Sequence, residues 1–126
     1  MRLLVLAAVL LEGIYCVAQL PKVSGLDCKA KIVALYDAGP NWANAAQYVP
    51  MHLQFLRTQL NQGTIAVGGP FTGGEPGGLV VFNVADQKQA DVLLQEDPFV
   101  AKKVVIYTTR SWAHCQADSA PSTPKP

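Results

Sequence analysis

The stretch TIAVGGPFTGGEPGGLVVFNV, residues 64–84, decides the fold. It predicts two strands, TIAVGGPF (64–71) and LVVFNV (79–84), joined by TGGEPGG (72–78), a flexible loop rich in glycine. The second strand is an almost continuous apolar run, which is typical of a central strand. We therefore expect two consecutive strands of opposite direction in the middle of the chain, with other elements on either side.

A strand and a helix are predicted before this pair. The apolar, β-rich stretch CKAKIVALYD (28–37) predicts the first strand. The segment MHLQFLRTQLNQG (51–63) predicts the first helix, because leucines recur on one face and Gly63 is a good terminator. Pro50 suits the first turn of a helix, so we expect this helix to begin close to the proline.

A second helix and a last strand are predicted after the pair. Asp86 caps the helix, and Gln89, three residues on, completes a capping box. The stretch EDPF (96–99) ends the helix, because the residue before a proline is biased out of the helical region. The last strand is KKVVIYTTRSW (102–112). The order βαββαβ predicts an α+β, ferredoxin-like fold with a four-stranded antiparallel sheet of strand order 4-1-3-2.

Composition narrows the class of protein. The chain has 126 residues and a formal net charge of +1, which fits one small domain with a modest core. Half of the residues are hydrophobic, so the chain as a whole is not disordered. The near-zero charge, without a basic run, argues against nucleic-acid binding. Small-molecule chemistry is left open.

The N-terminus has the parts of a secretory signal peptide. A positive start at Arg2 precedes LLVLAAVLL (3–11), an apolar run too short to span a bilayer, and small residues at Cys16 and Ala18 suit cleavage before Gln19. We predict a signal peptide over residues 1–18, a secreted or periplasmic protein, and no membrane attachment after cleavage. A cytosolic N-terminal helix is the alternative.

The mature chain is predicted as one domain, residues 26–115, followed by a disordered, proline-rich tail, residues 116–126. It keeps Cys28 and Cys115, which begin the first strand and follow the last. The predicted topology brings these two ends together, so a disulfide is expected in an oxidising compartment. Two unrelated thiols are the alternative.

The same topology gathers the unusual residues at the opposite end of the sheet. His52 lies in the predicted first turn of the first helix, where the helix dipole disfavours imidazolium, and Asp97, after the second helix, supplies a carboxylate. Such a pair is either a general acid–base unit or a structural hydrogen bond. Four residues at the same end are predicted to contact a ligand: Trp42, Gly69, Pro70 and Phe71.

The glycine-rich loop is not a phosphate loop. It lacks the GxGxxG and GxxxxGK spacings and does not open a helix, so we interpret it as a mobile hairpin turn that covers a pocket. No His, Cys, Asp or Glu grouping has metal-ligand spacing. The sequence therefore predicts neither a metal nor a cofactor.

The motifs PMHLQFLRTQLNQG (50–63), GGPF (68–71), GGLVVFNV (77–84) and QADVLLQEDPF (89–99) resemble the YCII-related (YciI-like) family of the dimeric α+β barrel superfamily. The segments YDAGPNW and RSW extend the resemblance from about Lys29 to Trp112. It implies a ferredoxin-like protomer, a homodimer packed sheet to sheet, and a His–Asp active site at His52 and Asp97. Some relatives are linked to dehydrochlorination of aromatic compounds, and most lack an export signal.

Two hypotheses for function follow. The first is a small-molecule enzyme, a lyase, isomerase or hydrolase, that uses His52 as a base and Asp97 as its partner. The second is an exported module of the same fold that binds a small ligand without converting it. In either case the first and third strands are apolar on both faces, so the bare side of the sheet predicts a symmetric dimer.

Overall fold

The computed structural model describes residues 23–118. The predicted signal peptide, residues 1–18, lies outside this range, and so does the tail from residue 119 onward.

Within this range the chain forms four strands and three α-helices. The strands are β1 (Leu26–Ala38), β2 (Ile65–Pro70), β3 (Gly77–Phe82) and β4 (Val105–Ala117), and the helices are α1 (Ala45–Gln62), α2 (Gln87–Leu94) and α3 (Pro98–Ala101). A 3-10 turn, Trp42–Asn44, precedes α1. The sheet has the order β2-β3-β1-β4, which confirms the predicted ferredoxin-like α+β fold and its strand order. Over residues 23–118, no helix combines the length and the apolar character that crossing a membrane requires.

Alternation along the strands separates the two faces of the sheet. Ile32 pairs with Phe82 and Ala34 pairs with Val80 in the antiparallel β1–β3 register, and all four side chains belong to the buried core. Because neighbouring residues of a strand point to opposite faces, these positions share the face that the helices cover. The helices contribute core residues of their own: Phe55, Ala90, Leu94 and Phe99.

Helix α1 begins earlier than the sequence predicted. It starts at Ala45, so Pro50 lies inside the helix and leaves the carbonyl of Ala46 without the usual amide partner. The helix ends as predicted at Gly63, whose left-handed backbone (φ 78°) suits glycine. His52 is therefore about two turns into α1, not in its first turn. The prediction that the helix dipole acts on His52 was wrong, because the dipole effect is confined to the first turn and His52 lies beyond it.

The segment EDPF ends one helix and also begins another. Helix α2 begins after Asp86, whose carboxylate accepts from the Gln89 amide at 2.8 Å, and it ends at Leu94. Pro98 then occupies the first position of the short helix α3, and Asp97 caps that helix with extended backbone (φ −75°, ψ 120°). A residue before proline favours this conformation, and proline favours the first helical position. The sequence prediction missed α3.

The described ends of the chain, residues 23–29 and 113–118, group into a compact unit of their own, separate from the main body at residues 30–112. A disulfide joins Cys28 to Cys115 in this unit. The Asp118 amide also donates to the Gly25 carbonyl at 2.9 Å. Strand β4 continues to Ala117, which is two residues into the segment predicted as the tail.

Candidate active site

A cavity of about 280 Å³ opens in the main body next to His52. Strand β1, the 3-10 turn, helices α1 and α3, and the facing ends of β2, β3 and β4 surround it. Its lining residues are Tyr36, Trp42, Val49, His52, Leu53, Leu56, Gly69, Pro70, Gly77, Gly78, Leu79, Val80, Phe99 and Val105. Lysine, arginine, aspartate and glutamate are all missing from this lining. The cavity is therefore apolar, with His52 and Tyr36 as its two ionisable side chains.

His52 and Asp97 are hydrogen-bonded partners. Nδ1 of His52 lies 2.8 Å from Oδ1 of Asp97. The His52 side chain is 13% exposed, whereas that of Asp97 is fully buried. Helix α1 supplies the histidine and the cap of α3 supplies the aspartate, so the fold joins two residues that lie 45 positions apart in the chain.

The Asp97 carboxylate is held by three donors. Oδ1 accepts from Nδ1 of His52 and, at 2.9 Å, from the backbone amide of Phe99. Oδ2 accepts from the hydroxyl of Tyr36 at 2.8 Å. A carboxylate removed from water needs such donors, because a buried charge without hydrogen bonds is very unfavourable.

Tyr36 keeps its proton in this environment. Burial raises the pKa of its hydroxyl far above the ordinary value, and the negative charge and hydrogen bond of Asp97 raise that pKa further. The hydroxyl is therefore a permanent donor to Asp97 across the pH range in which proteins work.

The ring of Phe99 fixes the plane of the imidazole. The two rings are stacked with centroids 4.0 Å apart and an interplanar angle of 1°. Phe99 follows Pro98 in α3, so the residue whose amide binds Asp97 also packs against the partner of Asp97. The position and the rotation of the imidazole are both constrained.

The second ring nitrogen of His52, Nε2, is not buried. It has no hydrogen-bond partner among residues 23–118, and every buried side-chain nitrogen or oxygen in that range does have one. Nε2 is therefore accessible, and His52 lines the cavity. Because Asp97 accepts from Nδ1–H, the neutral imidazole presents its unprotonated Nε2 to a ligand. This arrangement can remove a proton from a bound molecule and return it.

The structure brings together most of the predicted ligand contacts. Trp42, Gly69 and Pro70 line the cavity, and their contact with a ligand stays a prediction. Phe71 does not line it: its side chain is 48% exposed, and its amide donates to the Gly77 carbonyl at the start of the glycine-rich turn. The Phe71 amide continues the hairpin pairing one residue beyond Pro70, and the Phe71 ring lies beside Gly77, where a Cβ would approach the ring to 3.3 Å.

Sequence reasoning missed two members of the site. Tyr36 stood inside the predicted first strand, and its alternation with Ala34 could have placed it on the buried face. Phe99 stood in the segment that was interpreted as a helix stop. No cluster of three or more His, Cys, Asp or Glu side chains suited to a metal ion occurs within residues 23–118.

The fold and the site together define a small α+β domain with a buried carboxylate–histidine pair beside an apolar cavity. The chain belongs to the YCII-related domain family, whose sequence model matches residues 30–113. This finding confirms the family resemblance of the sequence.

Among solved structures, the chain is similar to 5-chloro-2-hydroxyhydroquinone dehydrochlorinase from Burkholderia phenoliruptrix AC1100 in complex with 2,5-dihydroxybenzoquinone. The two share 17% sequence identity with a TM-score of 0.54, and the match covers 66% of this chain and 94% of the dehydrochlorinase. A likeness at this identity demonstrates a common fold. Comparison with curated proteins finds no match.

Proposed function

We propose that this protein is a small-molecule enzyme in which His52 transfers a proton and Asp97 orients and charges the imidazole. The observation that carries the proposal is the 2.8 Å contact between Nδ1 and the buried carboxylate, made by a histidine that lines an apolar cavity and whose Nε2 is accessible. An oriented imidazole of this kind is the commonest acid–base group in enzymes.

The reaction class that this site suits is elimination. Nε2 takes a proton from an O–H or C–H group of the ligand, the electrons of that bond form a new double bond directly or through a conjugated system, and the leaving group departs with its own bonding pair from a tetrahedral carbon, which in a hydroxylated ring is that of the keto tautomer. The imidazolium then returns the proton to solvent or to the departing group. The dehydrochlorinase activity of the structural neighbour supports a lyase over an isomerase or a hydrolase.

The ligand is a small, largely apolar molecule without a phosphate group. A cavity of about 280 Å³ is at the lower end of the usual size for small-molecule sites. Its lining offers no lysine or arginine to pair with a phosphate, and burying an unpaired charge is unfavourable. The neighbour's complex with a one-ring quinone agrees with this size.

The test is turnover by the folded His52→Ala variant. A panel of hydroxylated aromatic rings, with and without a chlorine substituent, is incubated with the parent protein, and product and released chloride are measured. For a converted compound, we expect His52→Ala to reduce turnover by about a hundredfold or more. His114→Ala, which changes the other histidine, is the control and should leave turnover unchanged.

Two outcomes separate the hypotheses. If His52→Ala is folded and retains the parent turnover, His52 takes no part in the reaction. If a compound binds to the parent protein at the cavity and is never converted, the protein is a binding module and not an enzyme.

We also propose that the protein is exported. The charge, apolar run and small residues at the N-terminus support this, and so does the disulfide between Cys28 and Cys115, since such bonds persist in oxidising compartments. The mass of the mature protein from its native host tests the proposal. We expect a chain that begins at Gln19, whereas an uncleaved cytosolic chain would contradict export.

Finally, we propose a homodimer that covers the free face of the sheet. On the face of the sheet opposite the helices, Val33 pairs with Val81, both of which are already buried within the protomer, and Leu35 pairs with Leu79, both of which are partly exposed. Ile106 of β4 lies between two residues that pack in the core, and it is 55% exposed. An apolar sheet face of this kind favours a symmetric partner.

A further inference from the structure

Tyr36 is linked to His52 through the two oxygens of one carboxylate. Its hydroxyl donates to Oδ2 of Asp97 at 2.8 Å, and Oδ1 of the same group lies 2.8 Å from Nδ1 of His52. We infer that Tyr36 is a positioning residue for His52: by occupying Oδ2, it forces the imidazole and the Phe99 amide to share Oδ1. The catalytic consequence of this role rests on the proposed function.

The carboxylate needs such a constraint because its last torsion angle is broad and roughly two-fold. Two donors now share Oδ1, while Oδ2 is assigned to the tyrosine hydroxyl. Without that hydroxyl, Oδ2 would be buried and unsatisfied, which is unfavourable. Turning the carboxylate would then give each oxygen one donor, with the Phe99 amide on one and His52 on the other. The imidazole would follow its acceptor and leave its present orientation.

The fold buries Tyr36 beside a part of the cavity that is lined by glycine backbone. Gly78 stands directly opposite Tyr36 in the β1–β3 register, on the same face of the sheet, and both residues line the cavity. A Cβ at Gly78 would lie 2.8 Å from the carbonyl oxygen of Gly69, so no larger residue fits. The tyrosine ring is 4% exposed, and its hydroxyl reaches Asp97 without competition from water.

A purely structural role of Tyr36 predicts a different result. If Tyr36 only filled the core, phenylalanine would replace it without consequence for His52, because the two side chains have the same ring. The orientation of the imidazole therefore distinguishes the two roles. The stack of His52 on Phe99 reports this orientation, because protons held over an aromatic face have shifted resonances.

The experiment compares Tyr36→Phe with Tyr107→Phe by NMR in the absence of substrate. Tyr107 is a matched control, since its hydroxyl accepts from the Gln95 amide, whereas the Tyr36 hydroxyl donates to Asp97. We expect the carbon-bound ring protons of His52 to move toward their unstacked positions in Tyr36→Phe and to stay at the parent positions in Tyr107→Phe. Parent-like resonances in a folded Tyr36→Phe would overturn the inference.

Turnover of a compound from the panel that the parent protein converts gives the second readout. The tyrosine hydroxyl donates to Asp97, so we expect Tyr36→Phe to lower kcat by roughly tenfold to a hundredfold through misplacement of the base, with KM nearly unchanged. A change confined to KM would overturn the inference by placing Tyr36 in ligand binding.

Failure of the inference and failure of the proposed function are distinguishable. Unchanged turnover in His52→Ala rejects the function, whatever the NMR spectra of Tyr36→Phe show. If Tyr36→Phe does not fold, hydrogen exchange of the Tyr36 hydroxyl proton is measured in the intact protein. Slow exchange supports the constraint on Asp97, and exchange as fast as in free tyrosine overturns it.

Discussion

Replacing Asp97 by alanine should be far more destabilising than the loss of an ordinary helix cap. The substitution removes a fully buried carboxylate that accepts from Tyr36, Phe99 and His52. The hydroxyl of Tyr36 and the amide of Phe99 would stay buried without an acceptor. Each unsatisfied donor costs about 1–3 kcal/mol, so we expect a loss of about 4 kcal/mol in the free energy of unfolding. His52 adds little to this figure, because its imidazole can move its proton to Nε2.

The assay is urea unfolding at neutral pH with the disulfide intact, followed by circular dichroism. Asp86→Ala is the matched control, since Asp86 also caps a helix through one amide, that of Gln89, but on the surface. That variant should lose about 1 kcal/mol. Asp97→Asn should lose much less than Asp97→Ala, because asparagine is an equally good cap and keeps an acceptor for Phe99. Equal losses in Asp97→Ala and Asp86→Ala would refute the role of the buried donors.

Three further predictions concern the rest of the molecule. Burial and Asp97 raise the pKa of Tyr36, whereas the unfolded chain releases that proton near pH 10. The contribution of Tyr36 to the free energy of unfolding should therefore be full below pH 10 and fall as the pH rises above it. In Tyr36→Phe, the free energy of unfolding measured in urea should fall less steeply with pH over the same range. The disulfide between Cys28 and Cys115 closes a loop with a sequence separation of 87, so its reduction should cost about 4–5 kcal/mol in the chain-entropy treatment; two thiols alkylated without prior reduction in the purified protein would contradict the bond. Light scattering at micromolar concentration should give a dimer mass for the parent and a monomer mass for Ile106→Glu, and a monomeric parent would reject the covered sheet face.

The strands and their order were accessible from the sequence because alternation and apolar runs determine which residues a sheet buries. LVVFNV has too many consecutive apolar residues for an edge strand, and β3 is indeed flanked by β2 and β1. The start of α1 was not accessible from local rules. Pro50 is a strong signal for a first turn, but contacts made by the preceding turn outweigh one lost hydrogen bond: Ala45 and Tyr48 pack against the core.

The candidate site was accessible only in part, because topology brings residues to one end of a sheet without fixing the direction of their side chains. His52 and Asp97 are hydrogen-bonded to each other, and Trp42 lines the same cavity. Phe71 is not among the cavity-lining residues, and its side chain is 48% exposed, so its predicted contact with a ligand stays a prediction. Tyr36 was missed because a tyrosine inside an apolar strand is ordinarily a core residue, and its hydroxyl partner lies 61 residues away.

One atom, Oδ1 of Asp97, contributes both to the stability of the fold and to the proposed chemistry. Pro98 favours the extended backbone of Asp97, and the cap on the Phe99 amide then aims Oδ1 before any histidine is considered. The same oxygen is the acceptor of Nδ1–H of His52, so a change at Asp97 alters the helix cap together with the hydrogen bond to His52. A change at His52 removes only one of the three donors to the carboxylate, from a side chain that is partly exposed. His52→Ala should therefore be clearly more stable than Asp97→Ala in the same urea assay, which makes His52 the position at which loss of turnover can be attributed to chemistry rather than to unfolding. A His52→Ala variant as unstable as Asp97→Ala would contradict this separation.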